Sequence, residues 1–147
     1  MDTFSLIQFL AVILTAMALI PGAAHVMELP NKLPMTREAY LTVQRLYRGW
    51  NMSAFVVIGA LIATLTLVFV ADDQAFVPAL LGFLAIVATQ IVFWTFTFPV
   101  NRVTRNWTQV PQDDWQKLRD RWEFSHAVSA ALNFIAVVSV TLAVLRS

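Results

Sequence analysis

Four apolar runs, none containing Asp, Glu, Lys, Arg or His, alternate with polar segments along this chain. They cover Phe4–Ala24, Met52–Ala71, Phe76–Phe98 and Ala127–Leu145. About 20 residues of helix cross a bilayer, so each run predicts a transmembrane helix. Met1-Asp-Thr-Phe-Ser lacks the basic start of a signal peptide and the first run is too long for one, so it reads as a retained helix. Pro21 should kink that helix or end its regular hydrogen bonding, and Pro30 and Pro34 predict an irregular link over Leu29–Met35. Thr36 then suits an N-cap with Glu38 in the first turn. Tyr40, Val43, Tyr47 and Trp50 keep helical spacing opposite Arg37, Gln44, Arg45 and Arg48, which predicts an amphipathic helix on the membrane interface before the second span.

The link Asp72-Asp-Gln-Ala is so short that spans two and three must be antiparallel neighbours. In span three, Gln90, Trp94, Thr97 and Asn101 share one stripe if the helix continues past Pro99. Asn101–Pro111 reads as a loop, and Asp113 and Asp114 suit the first turn of a last, long helix. On that helix Trp115, Arg119, Trp122, His126, Ser129 and Asn133 fall on one face, with Glu123 beside it. The expected fold is all-α: an integral membrane four-helix bundle with an interfacial amphipathic helix between spans one and two, in a single four-span domain over residues 1–147.

Composition agrees. Of 147 residues, 59% are hydrophobic and only 13% charged, about half the charged share of a soluble domain. Mean hydropathy is +0.68. The net charge of +1, with no dense basic run, gives no footprint for nucleic acid. Absence of cysteine excludes disulfides, thiolate metal sites and dithiol redox chemistry. Nine of the ten Lys and Arg residues lie in the segments joining spans one to two and three to four; the tenth is Arg146. The positive-inside rule then puts both segments in the cytoplasm and both termini outside, in a bacterial inner membrane.

His25-x-x-Glu28 leaves span one and Glu123-x-x-His126 enters span four. Alternating topology brings these ends to the same side, where two His and two Glu can converge on a polar cup, with Lys32, Asn101 and Arg119 nearby. Glu-x-x-His at i, i+3 can grip one ion, and four visible ligands (His25, Glu28, Glu123, His126) fit a single metal better than a dinuclear centre. The bland alternative remains open. Arg119 and Glu123 form a good i, i+4 pair without any function. Trp94, Trp107, Trp115 and Trp122 can be an interfacial belt, and Gln90 and Asn133 can be glue between helices.

The pattern His25…Glu28-Leu-Pro, Phe98-Pro-Val-Asn101…Asn106-Trp107, then Trp115…Leu118-Arg119…Arg121-Trp122-Glu123…His126 resembles the four-span membrane family that includes the fungal anthrone oxygenases. The resemblance spans nearly the whole chain. It implies a four-helix membrane bundle and oxidation of a hydrophobic aromatic small molecule, an anthrone, to the quinone with dioxygen. Most members, including the bacterial-looking ones this chain resembles, have no assigned activity. The matched positions are His25, Glu28, Asn101, Trp107, Arg119, Trp122, Glu123 and His126. A histidine near neutral pKa can remove the proton next to the carbonyl, and Arg119 or Asn101 can stabilise the oxyanion. Trp94, Trp107 and Trp122, with Lys32, would line the substrate site. That chemistry needs no cofactor; a single metal ion is the other expectation, and haem on His25 and His126 ranks below both. Outside enzymology, the chain could be a membrane subunit whose cup is a structural lock. A transporter ranks low, because no ionisable group falls near the bilayer midplane.

Overall fold

A computed structural model describes residues 1–147. Its helices are α1 (Thr3–Lys32), α2 (Arg37–Gln44), α3 (Ser53–Val70), α4 (Asp73–Val92), α5 (Phe98–Val103) and α6 (Trp115–Arg146), with no strand. A π-helical turn over Phe93–Thr97 joins α4 to α5, making one span of Asp73–Val103. With α1, α6 and the segment Trp50–Val70, that gives four helices long and apolar enough to cross a membrane. They close a ring: α1 packs on α3 and α6, and α4 packs on the same two. The all-α four-helix bundle is therefore observed.

The seams are lined by small residues. Buried Ala11, Thr15, Ala18, Gly22 and His25 repeat along α1 at alternating steps of four and three, and Ala75, Ala79, Gly82, Ile86 and Thr89 do so along α4. Lipid is as apolar as a leucine side chain, so burying leucine gains little here; small residues let backbones approach and gain dispersion contacts instead. The large apolar side chains accordingly point outward, for example Phe55, Phe69, Leu81 and Phe134. One tight approach lies between α1 and α6. A Cβ added at Gly22 would sit 3.1 Å from both Cα and Cβ of Ala130.

Proline stops the first helix at neither place. Helix α1 runs through Pro21 and Pro30 to Lys32, so the irregular link expected from Leu29 is instead helix up to Lys32. Proline removes one N–H, but in a bundle the helix has strong reason to continue, since unpaired backbone in lipid costs several kcal/mol per group. Continuation also stacks His25, Glu28 and Lys32 on one face. At Pro99 the helix survives by a different device. Pro99 cannot donate to the carbonyl of Thr95 four residues back, and the Arg121 guanidinium of α6 donates to that oxygen instead, at 2.7 Å. The π turn beside it inserts an extra residue per turn and rotates the helix beyond it.

Helix α2 is shorter than expected. Thr36 caps it, its Oγ1 accepting from the Ala39 N–H at 3.4 Å. It ends at Gln44, succeeded by a 3-10 turn over Arg45–Tyr47, Gly49 at φ 91°, and a second turn over Trp50–Met52. Only glycine takes that φ without strain, so the chain reverses there. The face carrying Tyr40 turns into the protein, where Tyr40 packs with Val100, Trp107 and Trp122. α2 covers the end of the bundle. Asp113 and Asp114 precede α6, rather than forming its first turn.

Gly22→Ala should lower stability by about 1–3 kcal/mol through overpacking against Ala130. The double variant Gly22→Ala with Ala130→Gly should recover most of that loss in thermal unfolding of the detergent-solubilised protein. Absence of recovery would show that the two positions do not set the seam.

Candidate functional site: a lysine-centred cup between α1 and α6

One turn beyond the Gly22–Ala130 approach, the facing side chains are His25 and His126. Their rings stack directly, centroids 4.4 Å apart and tilted by 31°. Trp122 stands edge-on to both, at 4.7 Å from His25 and 4.3 Å from His126. One further turn along α1 comes Glu28 and a second turn brings Lys32, and one turn back along α6 comes Glu123.

The centre is Lys32, only 1% exposed. Its Nζ lies 2.8 Å from Glu28 Oε2, 2.8 Å from His25 Nδ1 and 3.3 Å from Glu123 Oε1. An ammonium has three protons and no lone pair, so these three acceptors use its full capacity. Because Lys32 can only donate, His25 Nδ1 must accept, and the neutral ring carries its proton on Nε2. Glu123 Oε2, 3.8 Å from that same Nδ1, therefore faces a lone pair and not a proton.

Two tyrosines close the cup from the connecting segment. Tyr40 donates to Glu123 Oε1 at 2.9 Å, and Tyr47 donates to Glu28 Oε2. The Tyr47 ring lies 4.5 Å from His25 and 4.6 Å from Lys32 Nζ. Burial raises the pKa of both phenols; the negative charge of Glu123 at Tyr40, and the hydrogen bond to Glu28 at Tyr47, push the same way. Both stay protonated as donors at neutral pH. The sequence pattern put these tyrosines on the aromatic side of an interfacial helix but not in the site. The available signal was their seven-residue spacing, which puts both hydroxyls on one helix face. Trp50 stands behind them, 6.0 Å from His25.

Not every expected residue joins the cup. Asn101 does so indirectly: its Oδ1 accepts from Trp122 Nε1 at 2.8 Å and fixes the indole. Trp107 reaches Tyr40 at 5.1 Å and Trp122 at 5.7 Å, both edge-on. It is carried on three consecutive left-handed residues, Arg105, Asn106 and Trp107 at φ 46°, 53° and 63°. None is glycine, and each costs about 1–2 kcal/mol in that conformation. Thr104 Oγ1 accepts from the Trp107 N–H at 3.1 Å and holds the turn.

Arg119 is not paired with Glu123. It donates to Asp120 Oδ1 at 2.9 Å and to the Leu33 carbonyl at 2.8 Å, clamping the end of α1 to the start of α6. Trp94 is 60% exposed and touches Phe93 and Phe98, outside the cup. The π turn breaks the stripe it was assigned to, leaving Thr97 buried against Ser125 at 2.8 Å and Trp94 on the outer face. Gln90 bonds to its neighbour Thr89 at 3.0 Å and bridges no helices.

His25, Glu28, Glu123 and His126 do meet, but no three His, Asp or Glu side chains gather in a metal-holding arrangement. The Lys32 ammonium occupies the space between both carboxylates and His25, so the chain provides its own cation there. Two buried atoms of α6 lack any partner: Glu123 Oε2 and His126 Nε2. The carboxylate oxygen can only accept; the imidazole nitrogen accepts in the tautomer that carries the proton on Nδ1. Compared with known protein families, with curated proteins and with solved structures, the chain has no match.

The chain has only two tyrosines, both in the cup. A phenol whose pKa is raised on folding contributes stability below its unfolded value of about 10 and loses it as pH rises further. Spectrophotometric titration should therefore show no tyrosinate until above pH about 10, appearing only together with unfolding. Ordinary titration of one tyrosine in the folded protein would mean that its hydroxyl faces water.

Proposed function

We propose that this four-span membrane protein is an anthrone oxygenase-like enzyme, removing a proton from a hydrophobic aromatic ketone so that dioxygen can oxidise it. The observation that carries the proposal is a pair of buried atoms without a hydrogen-bond partner, Glu123 Oε2 and His126 Nε2, in the cup whose Glu123 also meets the Lys32 ammonium. An intramembrane or membrane-edge ionisable cluster is costly to keep without a use.

His126 Nε2 takes a proton from the methylene next to the ring system. The three protons of Lys32 are engaged by His25, Glu28 and Glu123, so its positive charge stabilises the resulting enolate oxygen through space, without a hydrogen bond; Arg119 is engaged at the helix seam and takes no part in this. The carbanion carbon adds dioxygen to give a hydroperoxide, which loses water. The methylene becomes a carbonyl, one oxygen atom stays in the quinone and the other leaves as water. Trp122, Trp107 and Tyr47 are flat walls for a polycyclic ring. The chemistry draws on dioxygen and the electrons of the substrate alone.

The basic segments face the cytoplasm in this proposal, and both termini lie outside a bacterial inner membrane. Removing Lys32 and Arg119, which serve the cup and its seam, still leaves seven of nine basic residues on that side against one at Arg146.

A second reading, a non-catalytic subunit with a structural lock, is favoured by one observation: Lys32 ties Glu28 on α1 to Glu123 on α6. Turnover separates the two. The purified protein in detergent should consume dioxygen with anthrone and release the quinone. His126→Ala should reduce the rate at least about 100-fold, the usual contribution of a general base, while Trp94→Ala should leave it nearly unchanged. A wild-type rate no higher than that of His126→Ala would sink the catalytic reading and leave the lock.

A further inference from the structure

A polar cavity separate from the cup is lined in part by Trp107. It encloses about 170 Å³ between the end of α2 and the left-handed turn after α5, and it opens to solvent between Arg45, Arg48, Asn106 and Thr108. Its inner wall includes Gln44 and Trp107, only 6% and 8% exposed. Gln44 Nε2 and Trp107 Nε1 are both buried without a hydrogen-bond partner in the protein.

A buried N–H without an acceptor costs free energy comparable to a lost hydrogen bond, and native proteins rarely leave one so. Two on residues that both line one cavity call for an acceptor from outside the chain. The indole can only donate, so a donor group could not satisfy it. The surrounding charge narrows the chemistry further. Arg45 and Arg48 are exposed and form no ion pair, and no Asp or Glu lines the cavity. Two free guanidiniums over two buried N–H groups match a group with several anionic oxygens.

The position suggests where that group would come from. Arg48 lies five residues before α3, which begins at Ser53 and is a membrane span, so the cavity mouth sits near the level of lipid headgroups. The strained turn through Arg105, Asn106 and Trp107 forms one side of it, and backbone strain of this kind collects at binding sites.

We infer that Gln44, Arg45, Arg48 and Trp107 form an anion site that binds a phosphate group, presented by an anionic lipid headgroup or by free phosphate. The inference is independent of the chemistry assigned to the cup.

The test uses the full chain purified in dodecyl maltoside, a detergent without phosphate. Inorganic phosphate is titrated calorimetrically, and retention of added phosphatidylglycerol is tracked by native mass spectrometry. Saturable phosphate binding, competed by phosphatidylglycerol, supports a site open to either source. Retention of phosphatidylglycerol without phosphate binding supports the site and identifies the lipid as its source. In either case Arg45→Gln with Arg48→Gln, and separately Gln44→Leu, should weaken binding at least about tenfold, the effect of losing one charge-assisted hydrogen bond. Arg102→Gln, exposed on α5 and outside the cavity, should leave it unchanged. The two arginines are exposed, so their replacement does not threaten the fold. The proposal is overturned if neither phosphate source binds, or if Arg102→Gln weakens binding as much as the paired substitution, since that would reflect general surface charge.

Discussion

The rest of this molecule depends on a single buried ammonium. Lys32 ends α1 and is held by Glu28 below it, His25 beside it and Glu123 across the seam. Burying one charge alone would be prohibitive; here the buried ammonium meets the buried carboxylate of Glu123, the half-exposed carboxylate of Glu28 and a neutral imidazole, which use its three protons, and two phenols donate to the carboxylates. Such an arrangement tolerates little displacement. It explains why α1 stays helical through Pro21 and Pro30, why Gly22 meets Ala130 without a Cβ between them, and why Arg119 clamps the Leu33 carbonyl. Each keeps the ends of α1 and α6 in register.

The connecting segments are shaped by the same need. A cup at the membrane edge must be shielded, and the chain shields it with residues whose polar tips are required inside. Tyr40 brings a ring for the Trp107–Trp122 cluster and a hydroxyl for Glu123; Tyr47 does likewise for His25 and Glu28. The left-handed turn carrying Trp107 is the cost of positioning that indole, and it is held by Thr104.

Much of this was legible in the sequence because lipid imposes strict rules. Uncharged apolar runs predict spans, and helical spacing predicts that His25, Glu28, Glu123 and His126 lie on facing surfaces. What could not be read was partner choice. Arg119 and Lys32 are both cations within reach of Glu123 on paper. Only the continuation of α1 past Pro30 selects Lys32, and proline normally argues against that continuation. Helical spacing misplaces Trp94 for a comparable reason: its stripe assumes 3.6 residues per turn, and the π turn at Phe93–Thr97 breaks that period. The tyrosines belong to a segment whose amphipathic pattern fits a membrane surface as well as a bundle end, so pattern alone could not show what their hydroxyls meet.

The central claim is that Lys32 and Glu123 join α1 to α6 as one coupled unit. A double-mutant cycle tests it most directly, with Lys32→Met, Glu123→Gln and the pair compared by unfolding free energy in mixed detergent. Lys32→Met leaves the Glu123 carboxylate buried without its cation, which costs about 3–5 kcal/mol, whereas Glu123→Gln leaves Lys32 still paired with Glu28 and costs less. The double variant should be more stable than the sum of the two losses implies, by at least about 1 kcal/mol. Losses that add to within about 0.5 kcal/mol would mean the two side chains do not interact and would contradict the account.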